Sequence, residues 1–92
     1  MANTTSKFAV IGMGQFGQAI ARKLAMRGAE VLAIDIDPQL IDDIADEVAY
    51  AVALDATDPK ALSSQNIGDY DGVVIAIGTN FEQLTLCAVT VT

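Results

Sequence analysis

Residues 8–17 have the sequence FAVIGMGQFG, an apolar run that breaks into three glycines with the spacing GxGxxG. The apolar run predicts a buried strand, and the glycines predict a tight turn that opens a helix. In such a turn Gly12 bends the chain, Gly14 lets the backbone approach a pyrophosphate, and Gly17 lets the helix pack against the strand. The free amides at the start of that helix would face the anion. We interpret the stretch as a dinucleotide-binding turn, with a ligand-free tight turn as the alternative.

The residues around this turn predict alternating strands and helices. Four apolar segments predict strands at residues 7–11, 30–35, 50–54 and 73–77. Helical spacing and capping residues predict helices at residues 15–27 and 37–48, and a short helix that ends near residue 65. The alternation predicts an α/β fold, a Rossmann-like three-layer αβα domain whose parallel sheet has the strand order 3-2-1-4.

The C-terminal residues predict a further helix and an incomplete domain. Thr79 is followed three residues later by Glu82, which is the spacing of a capping box, and Phe81, Leu84 and Ala88 then share one helical face. We expect residues 1–92 to form a single N-terminal domain, a fragment that is truncated before the last strands of the sheet. An open strand edge and an apolar helix face favour dimer formation, and we expect this helix face to be the interface.

The composition restricts the class of partner. The chain carries 12 acidic and 5 basic side chains, and its net charge of −7 argues against nucleic acid and anionic lipid as partners. A bound anion would then be held by backbone amides. The single cysteine, Cys87, argues against a disulfide framework and a cysteine-rich metal site, and it favours a reducing, cytoplasmic compartment. The chain has no histidine, so the most versatile general base is missing.

Asp35 ends the second predicted strand, 18 residues after Gly17. A carboxylate at this position can accept hydrogen bonds from both hydroxyls of an adenosine ribose, and a solvated strand end or a helix cap is the alternative. Its charge would repel a 2′-phosphate, so NADP is the less favoured ligand. NAD, NADH, ATP and ADP share the adenosine ribose, and Asp35 does not distinguish among them.

Parallel strands bring the loops at their carboxyl ends to one crevice, here between strands 1 and 4. Asp55 and Ala56 follow the third strand, where adenine is expected, although Thr57 and Asp58 are also suited to cap a helix. Residues 78–80 follow the fourth strand and are open to the same two interpretations. We predict no catalytic and no metal-binding residue. The predicted cofactor-binding residues are Gly12, Met13, Gly14, Gln15, Phe16, Gly17, Asp35, Ile36, Asp37, Asp55, Ala56, Thr57, Gly78, Thr79 and Asn80.

Three motifs in order carry a family resemblance: the glycine turn, Asp-Ala-Thr at residues 55–57 and Ala-Ile-Gly-Thr-Asn at residues 76–80. With these motifs the chain resembles, over residues 7–89, the regulator-of-potassium-conductance domain, the nucleotide-binding module of Trk- and Ktr-type potassium uptake proteins. The resemblance implies a cytoplasmic ring of such domains at the inner face of the membrane, under a membrane-embedded potassium channel or transporter subunit. It also implies that NAD(H), ATP or ADP changes the shape of the ring.

The resemblance also implies roles for single residues. The three glycines would cradle phosphates, Asp35 would hold a ribose, residues 55–57 would lie near adenine, and residues 78–80 would close the pocket. Two positions depart from the family pattern: Gln15 stands where members often have arginine, and Leu54 stands where glycine often precedes the Asp-Ala-Thr motif. The first departure removes a positive charge that would compensate a triphosphate.

These observations favour a non-catalytic regulatory domain that signals because nucleotide binds one conformation of the assembly better than another. The first alternative is the N-terminal dinucleotide-binding half of an NAD-dependent dehydrogenase. That alternative shares the glycine turn and Asp35, but it requires a substrate domain with a general acid or base. The second alternative is a structural module that has lost its ligand, which predicts no response to any nucleotide.

Overall fold

The computed structural model describes residues 5–77 and 85–89, which form a five-stranded sheet with helices packed on it. The strands are β1 (Lys7–Ile11), β2 (Glu30–Asp35), β3 (Tyr50–Ala53), β4 (Gly72–Ile77) and β5 (Thr85–Val89). The helices are α1 (Gln15–Met26), α2 (Pro38–Ile44) and α3 (Pro59–Ser63), and 3-10 turns cover Ala45–Glu47 and Ile67–Asp69. In the described part of the chain no helix is long and apolar enough to cross a membrane.

The sheet has the order β3-β2-β1-β4-β5, and its first four strands are parallel. β1 is central in this parallel part, where Val10 pairs with Ala33 of β2 on one side and with Val74 of β4 on the other. A strand that is covered on both faces has a continuous apolar run, as residues 8–11 of β1 and 31–34 of β2 do. The predicted Rossmann-like fold with the parallel order 3-2-1-4 is confirmed.

Each face of the sheet buries its own apolar cluster. The cluster under α1 and α2 consists of Val10, Met13, Ala21, Val31, Ala33, Ile41, Ile44 and Val74. The cluster under α3 and the segment that follows it consists of Ala9, Ile11, Leu32, Ile34 and Val73. Neighbouring residues of β1 and β2 enter opposite clusters, as the two-residue period of a strand requires. This alternation fixes the register, and the register places the ends of β1 and β2 side by side.

Helix α2 begins where the sequence predicts and ends earlier. The Oδ1 atom of Asp37 accepts the N–H of Gln39 at 2.9 Å, and Pro38 occupies the first helical position. The prediction continued the helix to Val48, but α2 ends at Ile44 and is followed by a 3-10 turn. Val48 has extended backbone angles, with φ −130° and ψ 165°, so the chain leaves the helical conformation before β3 begins.

The structure contradicts the predicted last helix. Thr79, Phe81 and Leu84 lie outside the described residues. Ala88, the last member of the predicted helical face, lies in β5, which pairs with β4 in the antiparallel direction. The edge of β4 that the sequence predicted to be open is covered by this strand, and Ala88 does not belong to a helical dimer interface.

A strand in this place has a physical reason. Thr85 and Val89 are β-branched, and such residues favour strands over helices. The backbone groups along the edge of β4 also need hydrogen-bond partners, which β5 supplies, with Cys87 opposite Ile75. The apolar residues do have helical spacing, but a pattern of three residues does not outweigh a free sheet edge.

Candidate functional site

The glycine turn joins β1 to α1 in a conformation that two of its glycines make possible. Gly12 has φ +104°, in the region that residues with a Cβ rarely adopt, and its N–H donates to the carbonyl oxygen of Ile34 at 2.8 Å. A Cβ added at Gly17 would overlap the carbonyl group of Gly12 and would lie 3.6 Å from the Cβ of Ala76. The turn brings α1 into direct backbone contact with the end of β1, as the sequence predicts for the first and third glycines.

Gly14 differs from these two glycines. It is the N-cap of α1, with φ −67° and ψ −172°, and a Cβ added there would meet nothing within 4 Å. Packing within the described residues therefore does not require a glycine at this position. The side of the turn on which a Cβ would lie is open, and this is the space that the sequence analysis assigns to a pyrophosphate.

The carboxylate of Asp35 lies directly beside the glycine turn. Its Oδ2 atom accepts the N–H of Met13 at 2.7 Å, and its Oδ1 atom accepts the N–H of Asp37 at 2.8 Å. The side chain thus joins the glycine turn to the loop between β2 and α2. Sequence analysis predicted a ribose contact for this residue and missed its two backbone partners. Each carboxylate oxygen has a second lone pair, so a hydroxyl donor can still be accepted.

Met13 takes part in the site through its backbone alone, because its side chain is fully buried in the cluster under α1 and α2. Its carbonyl oxygen accepts a hydrogen bond from Nε2 of Gln18 at 2.9 Å. Gln18 was not among the predicted site residues. The available signal was a polar, hydrogen-bonding side chain in the first turn of the helix after GxGxxG, which is a weak signal because such residues are common on exposed helix faces.

The other residues of the first two loops form the rim of the crevice. Gln15 and Phe16 begin α1 on its exposed side, and the ring of Phe16 is 39% exposed. Ile36 is 67% exposed, which is unusual for an apolar residue directly after a buried strand. The side chain of Asp37 caps α2, so this predicted binding residue has a structural partner of its own.

The loop after β3 forms the third part of the crevice. Its backbone is tied to β2 because the N–H of Leu54 donates to the carbonyl oxygen of Asp35 at 3.0 Å. The Oδ1 atom of Asp55 accepts the N–H of Thr57 at 2.9 Å and its hydroxyl at 2.6 Å. These two bonds, the hydroxyl first, lower the pKa of Asp55 below its ordinary value, and slight desolvation opposes them. Ala56 packs against the cluster under α3.

The helix cap that sequence analysis proposed for this loop is also present. The Oδ1 atom of Asp58 accepts the N–H of Lys60 at 3.0 Å and caps α3, whereas the hydroxyl of Thr57 bonds to Asp55. Gly78, Thr79 and Asn80 lie outside the described residues. The structure therefore brings three of the four predicted loops to the carboxyl ends of neighbouring strands. None of these three loops, at residues 12–17, 35–38 and 55–58, contains lysine or arginine.

A groove of about 340 Å³ lies away from this crevice. It is lined by residues at the start of β3 and at the end of α3, among them Tyr50, Asn66 and Tyr70. Because Tyr50 begins β3 and Tyr70 precedes β4, the groove is at the amino ends of these strands. It shares no residue with the predicted site.

Comparisons with known proteins agree with the fold and with the order of the motifs. A model of the TrkA-N domain matches residues 8–92. Ktr system potassium uptake protein C of Bacillus subtilis (strain 168) is 40% identical over 76 residues, which are 83% of this chain and 34% of that protein. Ktr system potassium uptake protein A of the same organism is 40% identical over 80 residues, 87% of this chain and 36% of that protein.

The same comparisons also reach dehydrogenases. Malate dehydrogenase of Sulfolobus acidocaldarius is 35% identical over 75 residues, which are 79% of this chain and 24% of the enzyme. The chain spans about a third of the length of the two potassium uptake proteins, so the similarity to each relative concerns one part of a larger protein.

Proposed function

Because the chain belongs to the TrkA-N domain family, we propose that it is a nucleotide-binding regulatory domain of a potassium uptake system. The ligand is an adenine nucleotide, either NAD(H) or ATP/ADP, and the domain catalyses no reaction. One observation carries the proposal: the carboxylate of Asp35 lies against the backbone of the GxGxxG turn, at 2.7 Å from the N–H of Met13. A ribose on Asp35 would thus lie beside the amides at the start of α1.

The crevice suits a nucleotide because its groups complement the parts of that ligand. The free backbone amides at the start of α1 are suited to bind phosphate. They are the groups proposed for this role because the three described loops contain no basic side chain. Asp35 is suited to accept ribose hydroxyls and to repel a 2′-phosphate, which disfavours NADP. We propose residues 55–57 for the adenine end and residues 78–80 as the remainder of the site.

The proposed mechanism requires two conformations of an assembly. A nucleotide that binds one conformation better shifts the equilibrium toward it, and the difference in affinity is the signal. The partner that receives the signal is proposed to be a membrane-embedded potassium channel or transporter subunit, with the domain in the cytoplasm at the inner face of the membrane. Support comes from the two relatives above, whose names describe them as potassium uptake proteins of the Ktr system.

Oligomerisation is part of this proposal. A ring or dimer of such domains lets one binding event change the geometry of several copies, so we propose at least a homodimer. A helical face at residues 81–88 does not form this interface, because Ala88 lies in a strand. Light scattering coupled to size exclusion measures the mass of the assembly directly.

The similarity to malate dehydrogenase favours a second function, the dinucleotide-binding half of an NAD-dependent dehydrogenase. The two functions share the glycine turn and Asp35, so nucleotide binding alone does not separate them. The reading frame beyond Thr92 does: a small regulatory domain supports the sensor, and a catalytic domain with a general acid or base supports the dehydrogenase.

Thermal unfolding with NADH, NAD, ATP, ADP and NADP tests the binding. A ligand at 100 times its dissociation constant adds about 2.7 kcal/mol of stability, which raises the midpoint of so small a domain by roughly 10 °C or more. We expect NAD(H) or ATP/ADP to raise the midpoint of the wild type more than NADP does. In Asp35→Ala the rise, measured from that variant's own ligand-free midpoint, should be lost.

The control is Asp43→Ala, which removes the same charge from an exposed position on α2. This variant should keep the full ligand-induced rise. If no nucleotide shifts the wild type, or if Asp43→Ala loses the rise as Asp35→Ala does, the proposed function is wrong.

A further inference from the structure

The two peptide groups on either side of Met13 are held by different neighbours. The first group joins Gly12 to Met13: its N–H donates to Asp35, and its carbonyl packs against the Cα of Gly17, where an added Cβ would overlap it. The second group joins Met13 to Gly14, and its carbonyl oxygen accepts Nε2 of Gln18 at 2.9 Å. The Met13 side chain between them is fully buried.

The second peptide group ends in the N–H of Gly14. A trans peptide is planar, and its C=O and N–H point in opposite directions. When Gln18 holds the carbonyl of Met13, it therefore also directs the N–H of Gly14 away from the side-chain amide of Gln18. No acceptor among the described residues takes this N–H, although it follows a residue whose own N–H and C=O are both bonded.

No side-chain contact at Gly14 secures this orientation. The residue is exposed, and an added Cβ would touch nothing within 4 Å. The carbonyl oxygen of Gly14 accepts the N–H of Gln18 at 2.9 Å, but this bond holds the peptide group that follows Gly14. Since a glycine has no side chain, none resists rotation of the peptide group that precedes it. The hydrogen bond from Gln18 is the one contact that holds this group among the bonds of the described residues.

We propose that Gln18 is a positioning residue of the nucleotide site: it fixes the Met13–Gly14 peptide group so that the N–H of Gly14 is presented to a ligand phosphate. This inference rests on the proposed function and assigns to that site a residue outside the glycine motif. Gln18 touches no ligand group itself. Gln18 contributes to the binding of phosphate, whereas Asp35 contributes to the binding of ribose. A ligand that has ribose but no phosphate therefore distinguishes the two contributions.

The first measurement needs no ligand. In Gln18→Met, a side chain of similar length that cannot donate a hydrogen bond, the carbonyl of Met13 loses its partner. The NMR resonance of the Met13 carbonyl carbon should move upfield, and the amide of Gly14 should shift with it. The matched control is Gln65→Met at the end of α3, where the glutamine is also half-buried and makes one side-chain hydrogen bond, to Ser64. It should leave both resonances in place.

The second measurement compares ADP with adenosine by NMR titration of the wild type and the same variants. Gln18→Met should weaken ADP binding about fivefold, which is typical of one lost hydrogen bond, and should leave adenosine binding unchanged. Asp35→Asn should weaken the binding of both ligands, because both carry the ribose. Gln65→Met should weaken neither.

The outcomes separate the inference from the function on which it rests. If the wild type binds ADP and Gln18→Met binds ADP equally well, or loses ADP and adenosine alike, the positioning role is wrong and the proposed function stands. If the wild type binds neither ligand, the proposed function and the orienting role are both wrong. An unchanged Met13 carbonyl resonance in Gln18→Met would show that Gln18 does not hold the Met13 carbonyl, and the inference would be wrong.

Discussion

Two aspartates lie at the carboxyl ends of neighbouring parallel strands, and their side chains differ in how far along the chain their hydrogen-bond partners lie. Asp35 ends β2, and its oxygens accept the N–H groups of Met13, 22 residues away, and of Asp37. Asp55 follows β3, and among the described residues its side chain bonds to Thr57 alone, two residues away. An aspartate at the end of a parallel strand can therefore either join two loops or close a single turn.

The difference has consequences for stability and for function. A bond between segments that are far apart in the sequence is lost only when the loops separate, so Asp35 links the folding of the glycine turn to that of the loop after β2. A bond within one turn survives as long as the turn does. We expect changes around Asp35 to affect the whole domain, and changes around Asp55 to stay local.

Gly17→Ala should produce the largest effect, because it disrupts the turn that Asp35 holds. The added methyl group would overlap the carbonyl of Gly12, so α1 must move away from the end of β1. Overpacking of this kind costs about 1–3 kcal/mol or more, against a gain of up to about 1 kcal/mol in helix propensity. Urea unfolding should show a net loss of stability of about 2 kcal/mol.

Gly14→Ala is the control for that prediction, since the added methyl group has free space. Its loss should not exceed about 1 kcal/mol, the typical cost of alanine at an N-cap. A loss in Gly14→Ala as large as that in Gly17→Ala would contradict the close contact between Gly12 and Gly17.

The next effect compares the two aspartates directly in the absence of ligand. Asp35→Ala leaves two N–H groups without an acceptor and should lower the free energy of unfolding by about 1–1.5 kcal/mol, because only one of the two groups is partly buried. Asp55→Ala removes an exposed side chain with only local bonds and should lower the free energy of unfolding much less than Asp35→Ala does. Urea unfolding measures the loss of stability in both variants. Equal losses would contradict the view that the long-range bonds of Asp35 stabilise the domain more than the local bonds of Asp55.

The same comparison shows what the sequence predicts and where it fails. The position of Asp35 beside the glycine turn follows from strand register, because β1 and β2 are parallel and apolar apart from their charged end residues, and this was predicted. The bond from Asp35 to Met13 was not, because it depends on the φ of Gly12 and on the exact path of one peptide group. Gln18 was missed for the same reason: a side chain that bonds to a backbone carbonyl leaves no periodic pattern in the sequence.

The last helix failed for a different reason. The helix was predicted from two local signals, the helical spacing of Phe81, Leu84 and Ala88 and the capping-box spacing of residues 79 and 82. Whether a segment joins a sheet depends on the presence of a free edge, here that of β4, and on the β-branched residues that fit it. Local patterns predicted the parallel strands well because burial on both faces leaves an unmistakable apolar run, whereas the conformation of an edge segment depends on its neighbour.

The smallest effect concerns the turn of Asp55. Its pKa lies below the ordinary value of 3.8, first because of the hydroxyl of Thr57 and then because of the N–H of Thr57. A carboxylate whose pKa is lower in the folded than in the unfolded chain stabilises the fold above the unfolded pKa. That contribution is lost as the pH falls through the folded pKa. The window is therefore the acidic range at and below the ordinary value.

Thr57→Val removes the hydroxyl and keeps the backbone N–H, so the pKa of Asp55 should rise toward 3.8 without reaching it. An NMR titration of the Asp55 carboxyl carbon measures this, and Thr5→Val, at an exposed position before β1, is the matched control. Stability at neutral pH should hardly change in either variant. If Thr57→Val leaves the pKa of Asp55 unchanged, the hydroxyl bond is not its main cause. If Thr57→Val instead unfolds the domain at neutral pH, the turn of Asp55 stabilises the whole domain. The proposed difference between Asp35 and Asp55 would then be wrong.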